Sequence, residues 1–215
     1  MADLSEIKKR LAPWFKERDL ISSSNRRIWF DDNGFYATVV EIQPCNGMGI
    51  IINVGVNFFW KRYFGVTYDY ALGEIEVTVP NATFGALLFN SINFESELKY
   101  VLSETEKRIE FYRKLRDIRH LDELLKSRFD AITFMNKDFL KSDSSRGITR
   151  ALLGDFETAK ELFSNDVQNS VASLLLPIVE DKEKFKQTLL EIILECRRNF
   201  AIEQRIKLKE ANIDI

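Results

Sequence analysis

Glu41 and Gln43 are the residues whose types and spacing first suggest chemistry in this chain. They stand two positions apart at the end of an apolar run, so a strand would place both side chains on one face. An acid and an amide in this arrangement occur in some metal-dependent nucleases, where several carboxylates converge on one divalent ion. Asp31 and Asp32 are the acids that could complete such a site. A nuclease-type enzyme is therefore one interpretation of the sequence.

The other groups that could act chemically are isolated along the chain. His120 is the only histidine, and no second ligand or acid–base partner is arranged around it, which is not typical of a zinc site or a catalytic triad. Arg113, Arg116 and His120 fall at helical spacing and could contact phosphate or an acidic partner. The neighbouring acid Asp117 favours salt bridges within the helix instead. Beyond the acid–amide pair, the sequence indicates no catalytic residue, no metal site and no cofactor.

The composition excludes several classes of protein. With 215 residues, a net charge of −2, 45% hydrophobic and 30% charged residues, the chain is typical of a soluble globular protein without an electrostatic drive toward nucleic acid. Cys45 and Cys196 lie far apart without CxxC spacing, so neither a disulfide framework nor a zinc site is indicated. The first residues do not resemble a signal peptide, and no apolar run is long enough to span a bilayer. We expect a cytoplasmic protein with two reduced thiols and no membrane contact.

An N-terminal helix and an antiparallel meander are the elements that would position these groups. Apolar residues recur at helical spacing over residues 3–16, and Asp3 stands where an N-cap is expected. Asn-Gly occurs at 33–34 and again at 46–47, each time between apolar runs, which is typical of two-residue type I′ turns. The pattern predicts a sheet of about four strands, over residues 26–32, 35–43, 48–58 and 73–79.

The two turns also predict the strand registers. A turn at 33–34 pairs Phe30 with Ala37, and a turn at 46–47 pairs Val39 with Val54. Because side chains alternate between the two faces of a sheet, one face collects an apolar core set. This set is Ile28, Phe30, Phe35, Ala37, Val39, Ile50, Ile52, Val54, Val56 and Phe58.

The same registers predict the positions of the polar residues. Arg26 lies directly opposite Glu41, so the two would form a cross-strand ion pair at the rim of the core face. In this interpretation Glu41 is a paired rim carboxylate rather than a catalytic one. The same registers place Asp31 on the face opposite Glu41, which counts against a shared metal site. The second face is a plausible binding surface if it is open, and part of a second core if a helix covers it. The candidate binding residues on that face are Arg27, Trp29, Tyr36, Asn53 and Asn57.

Helical periodicity replaces strand alternation in the second half of the chain. One long amphipathic pattern begins at Phe94, and shorter ones follow the N-cap candidates Asp155 and Asp181. Strands followed by helices predict an α+β fold, with a helix and an antiparallel sheet in residues 1–90 and a helical half in residues 91–215. We expect the two parts to pack as one unit.

The N-terminal half resembles a family of small bacterial proteins classed only as a domain of unknown function. The matching features are the aromatic strand residues Trp29 and Phe30, the Asn33-Gly34 turn, a strand that ends near Gln43, and the strand Ile52-Asn53-Val54-Gly55-Val56. The resemblance covers roughly residues 4–80. It implies no established activity, and some relatives look like neighbours of toxin systems, which implies an immunity-type role.

Two functions from different classes follow from these observations. The leading interpretation is a non-enzymatic protein-interaction protein, such as an immunity or regulatory partner in a bacterial toxin or defence system, with a protein rather than nucleic acid as its partner. The alternative is the metal-dependent nuclease-type enzyme that uses Glu41 and Gln43.

Overall fold

A capped helix opens the chain and places its apolar stripe on a sheet. In this computed structural model, which describes residues 3–24, 26–62, 65–66, 68–69, 75–80, 82, 85–133, 144–210 and 213, helix α1 spans Leu4–Lys16. The Asp3 carboxylate accepts a hydrogen bond from the Glu6 amide at 2.9 Å, which confirms the predicted N-cap. The helix continues through Pro13 and buries Ile7, Leu11, Ala12 and Phe15.

The strands and the remaining helices follow in an α+β order, as predicted. Within the described residues the antiparallel sheet has six strands, with β1-β2-β3-β4-β5 in that order and β6 also paired with β4. Its strands are β1 (Ile21–Ser22), β2 (Ile28–Asp32), β3 (Tyr36–Cys45), β4 (Gly49–Phe58), β5 (Glu76–Val77) and β6 (Leu87–Leu88). The later helices are α2 (Phe94–Arg113), α3 (Ile118–Thr133), α4 (Ser144–Leu152), α5 (Phe156–Asn165), α6 (Ser170–Leu175) and α7 (Lys182–Gln204). β1 and β6 were not predicted, and β5 is shorter than the predicted strand over residues 73–79.

The chain divides into two compact units. The first unit contains residues Met1–Phe58, Phe64–Arg113 and Arg198–Ala211, and the second contains Phe59–Tyr63, Lys114–Arg197 and Asn212–Ile215. Helix α2 therefore belongs with the sheet, whereas the sequence pattern predicted it in the helical half of residues 91–215. None of the helices in the described part of the chain combines the length and apolar character needed to cross a membrane.

The first hairpin turns one residue later than predicted. The backbone amide of Asn33 donates to the Tyr36 carbonyl at 3.0 Å, so the two central residues of the turn are Gly34 and Phe35. Only the first of these takes a positive φ, 85° at Gly34, which matches a turn with glycine at its first central position rather than the predicted type I′ turn. Phe30 consequently pairs with Val39 and not with Ala37. A shift of two residues leaves every side chain on its predicted face.

The second hairpin has a three-residue loop, which exchanges the two faces of β4 relative to the prediction. Cys45 pairs with Gly49, which leaves Asn46, Gly47 and Met48 in the loop. Asn46 and Gly47 have positive φ values of 46° and 72°. Val54 therefore pairs with Val40 instead of Val39. Because one residue of slip moves a whole strand to the other face, the predicted core face is wrong for β4.

The corrected registers give a front face and a back face. The front face carries Trp29, Asp31, Tyr36, Thr38, Val40, Ile42, Ile50, Ile52, Val54, Val56 and Phe58. The back face carries Ile28, Phe30, Asp32, Ala37, Val39, Glu41, Gln43, Ile51, Asn53, Gly55 and Asn57.

Both faces are covered by other parts of the first unit. On the front face, Phe15 of α1 stacks on Trp29 with ring centroids 4.9 Å apart, and the Tyr36 hydroxyl donates to the Tyr112 carbonyl of α2. On the back face, Phe200 near the end of α7 meets Phe30 edge to face at 5.2 Å. The strands are therefore largely buried on both faces, although the back face also carries polar side chains.

The second unit is helical and has its own core. Phe163 of α5 packs near Phe185 of α7, with ring centroids 6.3 Å apart. A Cβ atom on Gly147 of α4 would lie 2.5 Å from the Phe163 ring, so only glycine allows this approach. The predicted caps of the helices are confirmed, since Asp155 accepts from the Thr158 amide and Asp181 from the Lys184 amide.

Candidate functional site

A polar cluster lies at the rim of the back face, around the acid–amide pair. Glu41 is opposite Asn53 in the strand register, and the Asn53 amide donates to Gln43 Oε1 at 2.7 Å and to Glu41 Oε2 at 3.3 Å. The Tyr68 hydroxyl donates to Glu41 Oε2 at 2.9 Å. Glu41 and Gln43 therefore share a face, as predicted, but both are bound to neighbours within the fold.

The electrostatics of this cluster keep its tyrosine protonated. Burial raises the pKa of Tyr68, and the charge of the Glu41 carboxylate, together with its hydrogen bond to the phenol, raises it further. The phenol is consequently a hydrogen-bond donor at neutral pH. An acid–base role would need a pKa near the working pH, so Tyr68 is suited to holding Glu41 in place and not to moving protons.

Arg27, and not Arg26, is the basic partner of Glu41. The residue opposite Glu41 is Ile28, and Arg26 lies before β2 with a left-handed φ of 53°. The Arg27 guanidinium approaches Glu41 Oε1 at 3.6 Å. The predicted Arg26–Glu41 pair is therefore wrong. The first hairpin turns one residue later than predicted, and β2 begins only at Ile28, so Arg26 lies outside the strand.

The acids proposed for a nuclease site are held elsewhere. Asp31 is on the front face, opposite to Glu41 as the sequence predicted, and is bound by Arg113 with Nε 2.8 Å from Oδ2. Asp32 accepts hydrogen bonds from the backbone amides of Gly34 and Lys209. Within the described ranges, no three His, Cys, Asp or Glu side chains come close enough together to hold a metal ion. The carboxylates do not converge as metal catalysis requires.

The predicted binding surface is not assembled by the fold. Trp29 and Tyr36 lie on the front face, whereas Asn53 and Asn57 lie on the back face, and all four are 2% exposed or less. Arg27 alone of the five is substantially exposed, at 38% of its side chain. The one-residue slip of β4 separates the aromatic from the amide residues. The burial of these residues favours the alternative interpretation, in which they form part of a second core.

The predicted basic helix face is also divided. Arg113 ends α2 and binds Asp31 and Glu110, and the 3-10 turn Lys114–Arg116 separates it from α3. His120 in α3 lies 3.8 Å from Asp117. The 3-10 turn interrupts the helix between Arg113 and His120, so the helical spacing predicted for these cations is not maintained.

A groove that the sequence analysis missed lies at the end of the sheet near the second hairpin. It has a volume of about 580 Å³ and an apolar floor. Its lining residues are Asp3, Leu4, Gly47, Met48, Leu88, Phe89 and Asn90. The loop of the second hairpin supplies one wall, the start of α1 another, and the segment after β6 the third. A volume of 300–1,000 Å³ is typical of ligand pockets.

One exposed apolar side chain lines this groove, and another follows the lining residues closely in the sequence. Met48 is 49% exposed in its wall, and Ile92, two residues beyond the lining residue Asn90, is 99% exposed. Single exposed apolar residues are ordinary, so the groove itself, and not either side chain alone, is the candidate binding surface. In the sequence, the only features that could have indicated this groove are a methionine at a turn and the apolar run before Asn90. Neither has the periodicity from which a surface can be predicted.

The two cysteines differ in their surroundings. Both are free thiols, with Cys45 partly exposed and Cys196 buried. Burial raises the pKa of the Cys196 thiol to about 11. Because the thiolate is the reactive form, Cys196 is protected by low accessibility and by its high pKa.

We expect a thiol reagent at pH 8 to modify Cys45 alone in the folded protein. In denaturant both thiols should react, because unfolding exposes Cys196 and returns its pKa to the ordinary range. Ellman's reagent with mass spectrometry would count the modified residues over time. The Cys45→Ser variant is the control and should show almost no fast labelling. Equal rates for both thiols in the native protein would contradict this assignment.

Comparison of the chain with protein-family models, with curated proteins and with solved structures gives no match.

Proposed function

We propose that this chain is a non-enzymatic interaction protein that docks an apolar segment of a protein partner in the groove of the first unit. The observation that carries the proposal is the groove of about 580 Å³ between the start of α1, the second hairpin and β6. Met48 stands half-exposed in its wall. Methionine adapts its unbranched side chain to different partners and is common at such surfaces.

The chemistry of the lining favours a protein segment as the occupant. Leu4, Leu88 and Phe89 offer aliphatic and aromatic contact, and Asp3 and Asn90 supply polar groups at the rim. An apolar centre with a polar rim is the usual anatomy of a protein interface.

The state of the acidic residues supports a non-enzymatic role. Glu41, Asp31 and Asp32 are each engaged in internal hydrogen bonds or ion pairs. A catalytic carboxylate has to remain available to a metal ion or a substrate. These three side chains instead connect parts of the first unit to one another.

The biological setting of the proposal rests on the resemblance of residues 4–80 to the bacterial family. An immunity or regulatory partner in a bacterial toxin or defence system, working in the cytoplasm, fits a protein whose task is to bind. A toxin gene beside the gene of this protein would support that setting. A neighbourhood of metabolic enzymes would count against it.

A display selection tests the groove directly. Peptides selected from a random library for binding to the immobilised protein should be rich in large apolar residues and should lose binding to the Met48→Arg variant. Ile202→Arg is the matched control, because Ile202 is 70% exposed and does not line the groove. Peptides that bind both variants equally would show that the groove is not the binding site.

The nuclease alternative is tested by Glu41→Gln. We expect no metal-dependent cleavage of single- or double-stranded nucleic acid by either protein, and a free energy of unfolding lowered by about 1 kcal/mol, since glutamine keeps one acceptor for Tyr68 but loses the charge. Cleavage assays with Mg²⁺ and Mn²⁺, together with urea unfolding, would measure both effects. Cleavage by the wild type that disappears in the variant would establish the enzyme instead.

A further inference from the structure

We propose that the segment directly after α7 binds an extended acidic segment of a protein, at a surface separate from the groove. This segment, residues 205–210, is named the basic strap. Two half-buried apolar residues, Ile206 and Leu208, alternate with exposed cations. The cations are Arg205, Lys207 and Lys209. Exposure that alternates with a period of two is the pattern of an extended chain lying on a surface, with one row of side chains turned outward.

Hydrogen bonds hold the basic strap on the first unit near both of its ends. At the start, Arg205 has a left-handed φ of 52°, and the Ile206 amide donates to the Ala201 carbonyl at 3.0 Å. This is the Schellman arrangement that ends many helices. Near the other end, the Lys209 amide donates at 2.8 Å to a side-chain oxygen of the buried Asp32. A segment that is already held in place loses little conformational freedom when a partner binds.

The outward cations are not neutralised by acids of the described part of the chain. Neither Arg205 nor Lys207 forms an ion pair there, and the one acid among residues 205–210 is Glu210, the last of them. In the same unit, the exposed Arg10 is paired with Glu95 at 2.7 Å. Cations that lie together without such partners create a positive local potential, which attracts an anionic group even though the whole chain has a net charge of −2.

The spacing of these cations favours a protein segment as the partner. Alternate residues of an extended chain lie about 6.6 Å apart and point to one side. A second extended chain with acids at alternate positions has the same repeat, so each carboxylate can meet one cation in a charge-assisted hydrogen bond. A nucleic acid would be held mainly by overall charge, and a net charge of −2 gives the chain no general attraction to a polyanion.

Fluorescence anisotropy with labelled synthetic peptides tests the proposal. The probe is a short peptide of alternating Glu and Thr, and its control has the same composition with all Glu residues in one block. We expect the alternating peptide to bind the wild type roughly 5-fold more tightly than the block peptide at low salt, because the block turns half of its carboxylates away from the basic strap. High salt should weaken the binding of both peptides.

Substitution of the strap cations gives the second measurement. A variant that combines Arg205→Gln, Lys207→Gln and Lys209→Gln should bind the alternating peptide roughly 10-fold more weakly than the wild type. The fold is expected to persist, because the three side chains are exposed and the bond to Asp32 comes from a backbone amide. Circular dichroism and urea unfolding would verify this.

A second triple variant is the matched control for the loss of charge. Lys9→Gln, Lys16→Gln and Lys99→Gln remove the same number of exposed cations from α1 and α2 of the same unit, and should leave peptide binding unchanged. Met48→Arg should also leave it unchanged, because Met48 lines the groove and no strap residue does. The proposed function of the groove is therefore tested independently of the basic strap.

Three results would each overturn this inference. The first is equal affinity of the wild type for the alternating and block peptides. The second is an equal loss of binding in the two triple variants, which would show a response to net charge alone. The third is tighter binding of an oligothymidylate than of the alternating peptide, lost in the strap variant, which would assign the basic strap to nucleic acid.

Discussion

Replacing Arg113 by methionine is expected to lower the free energy of unfolding by about 3–5 kcal/mol. The Asp31 side chain is 1% exposed, and its two oxygens lie 2.8 and 3.3 Å from the Arg113 guanidinium. That hydrogen bond raises the pKa of Arg113, so the guanidinium stays charged. The same group donates to the Arg18 carbonyl at 2.7 Å. Methionine would keep much of the aliphatic packing but leave a buried carboxylate without its cationic partner, with the Asn33 side-chain amide still donating to it at 3.3 Å.

An exposed arginine–carboxylate ion pair is the control for this prediction. Arg10 binds Glu95 at 2.7 Å, but the two side chains are 37% and 74% exposed. Because water and salt screen such a pair, Arg10→Met should cost less than about 1 kcal/mol. Urea unfolding of both variants under the same conditions gives the comparison. Similar losses in the two proteins would mean that the Asp31–Arg113 pair contributes no more than a surface ion pair.

Replacing Trp29 by alanine should also lower the free energy of unfolding by about 3–5 kcal/mol. Trp29 is 1% exposed and stacks on Phe15, so truncation leaves a large cavity between α1 and the front face of the sheet. Trp29→Phe should cost clearly less. Phenylalanine retains a ring for the stacking contact, and within the described residues the indole Nε1 is buried without a hydrogen-bond partner, so no hydrogen bond is lost.

The same pair of variants separates a core role from a binding role. A core residue changes stability and leaves groove binding per folded molecule unchanged, whereas a binding residue does the reverse. Urea unfolding followed by circular dichroism, and affinity for a groove-selected peptide, would be measured for wild type and both variants. Unchanged stability of Trp29→Ala with weakened peptide binding would assign Trp29 to binding instead of to the core.

Local sequence signals determined the main secondary-structure elements of this protein. The helices that begin after Asp3, Asp155 and Asp181 were predictable, because an N-cap and a 3.6-residue apolar period act within a few residues. The meander and the α+β class followed from apolar runs bounded by turn residues. The separation of Asp31 from Glu41 also followed from alternation along the strands.

Only the tertiary structure decided the registers and the sites. The two Asn-Gly pairs predicted where each turn would be, but either residue of a pair can take the left-handed conformation. In the structure the first turn has Gly34 and Phe35 at its centre, and the second is a three-residue loop after Cys45. That single extra residue moved Asn53 and Asn57 away from Trp29 and Tyr36. The groove was beyond prediction for a related reason. Its walls come from three segments, near Leu4, Met48 and Leu88, and their approach depends on long-range packing that leaves no period in the sequence.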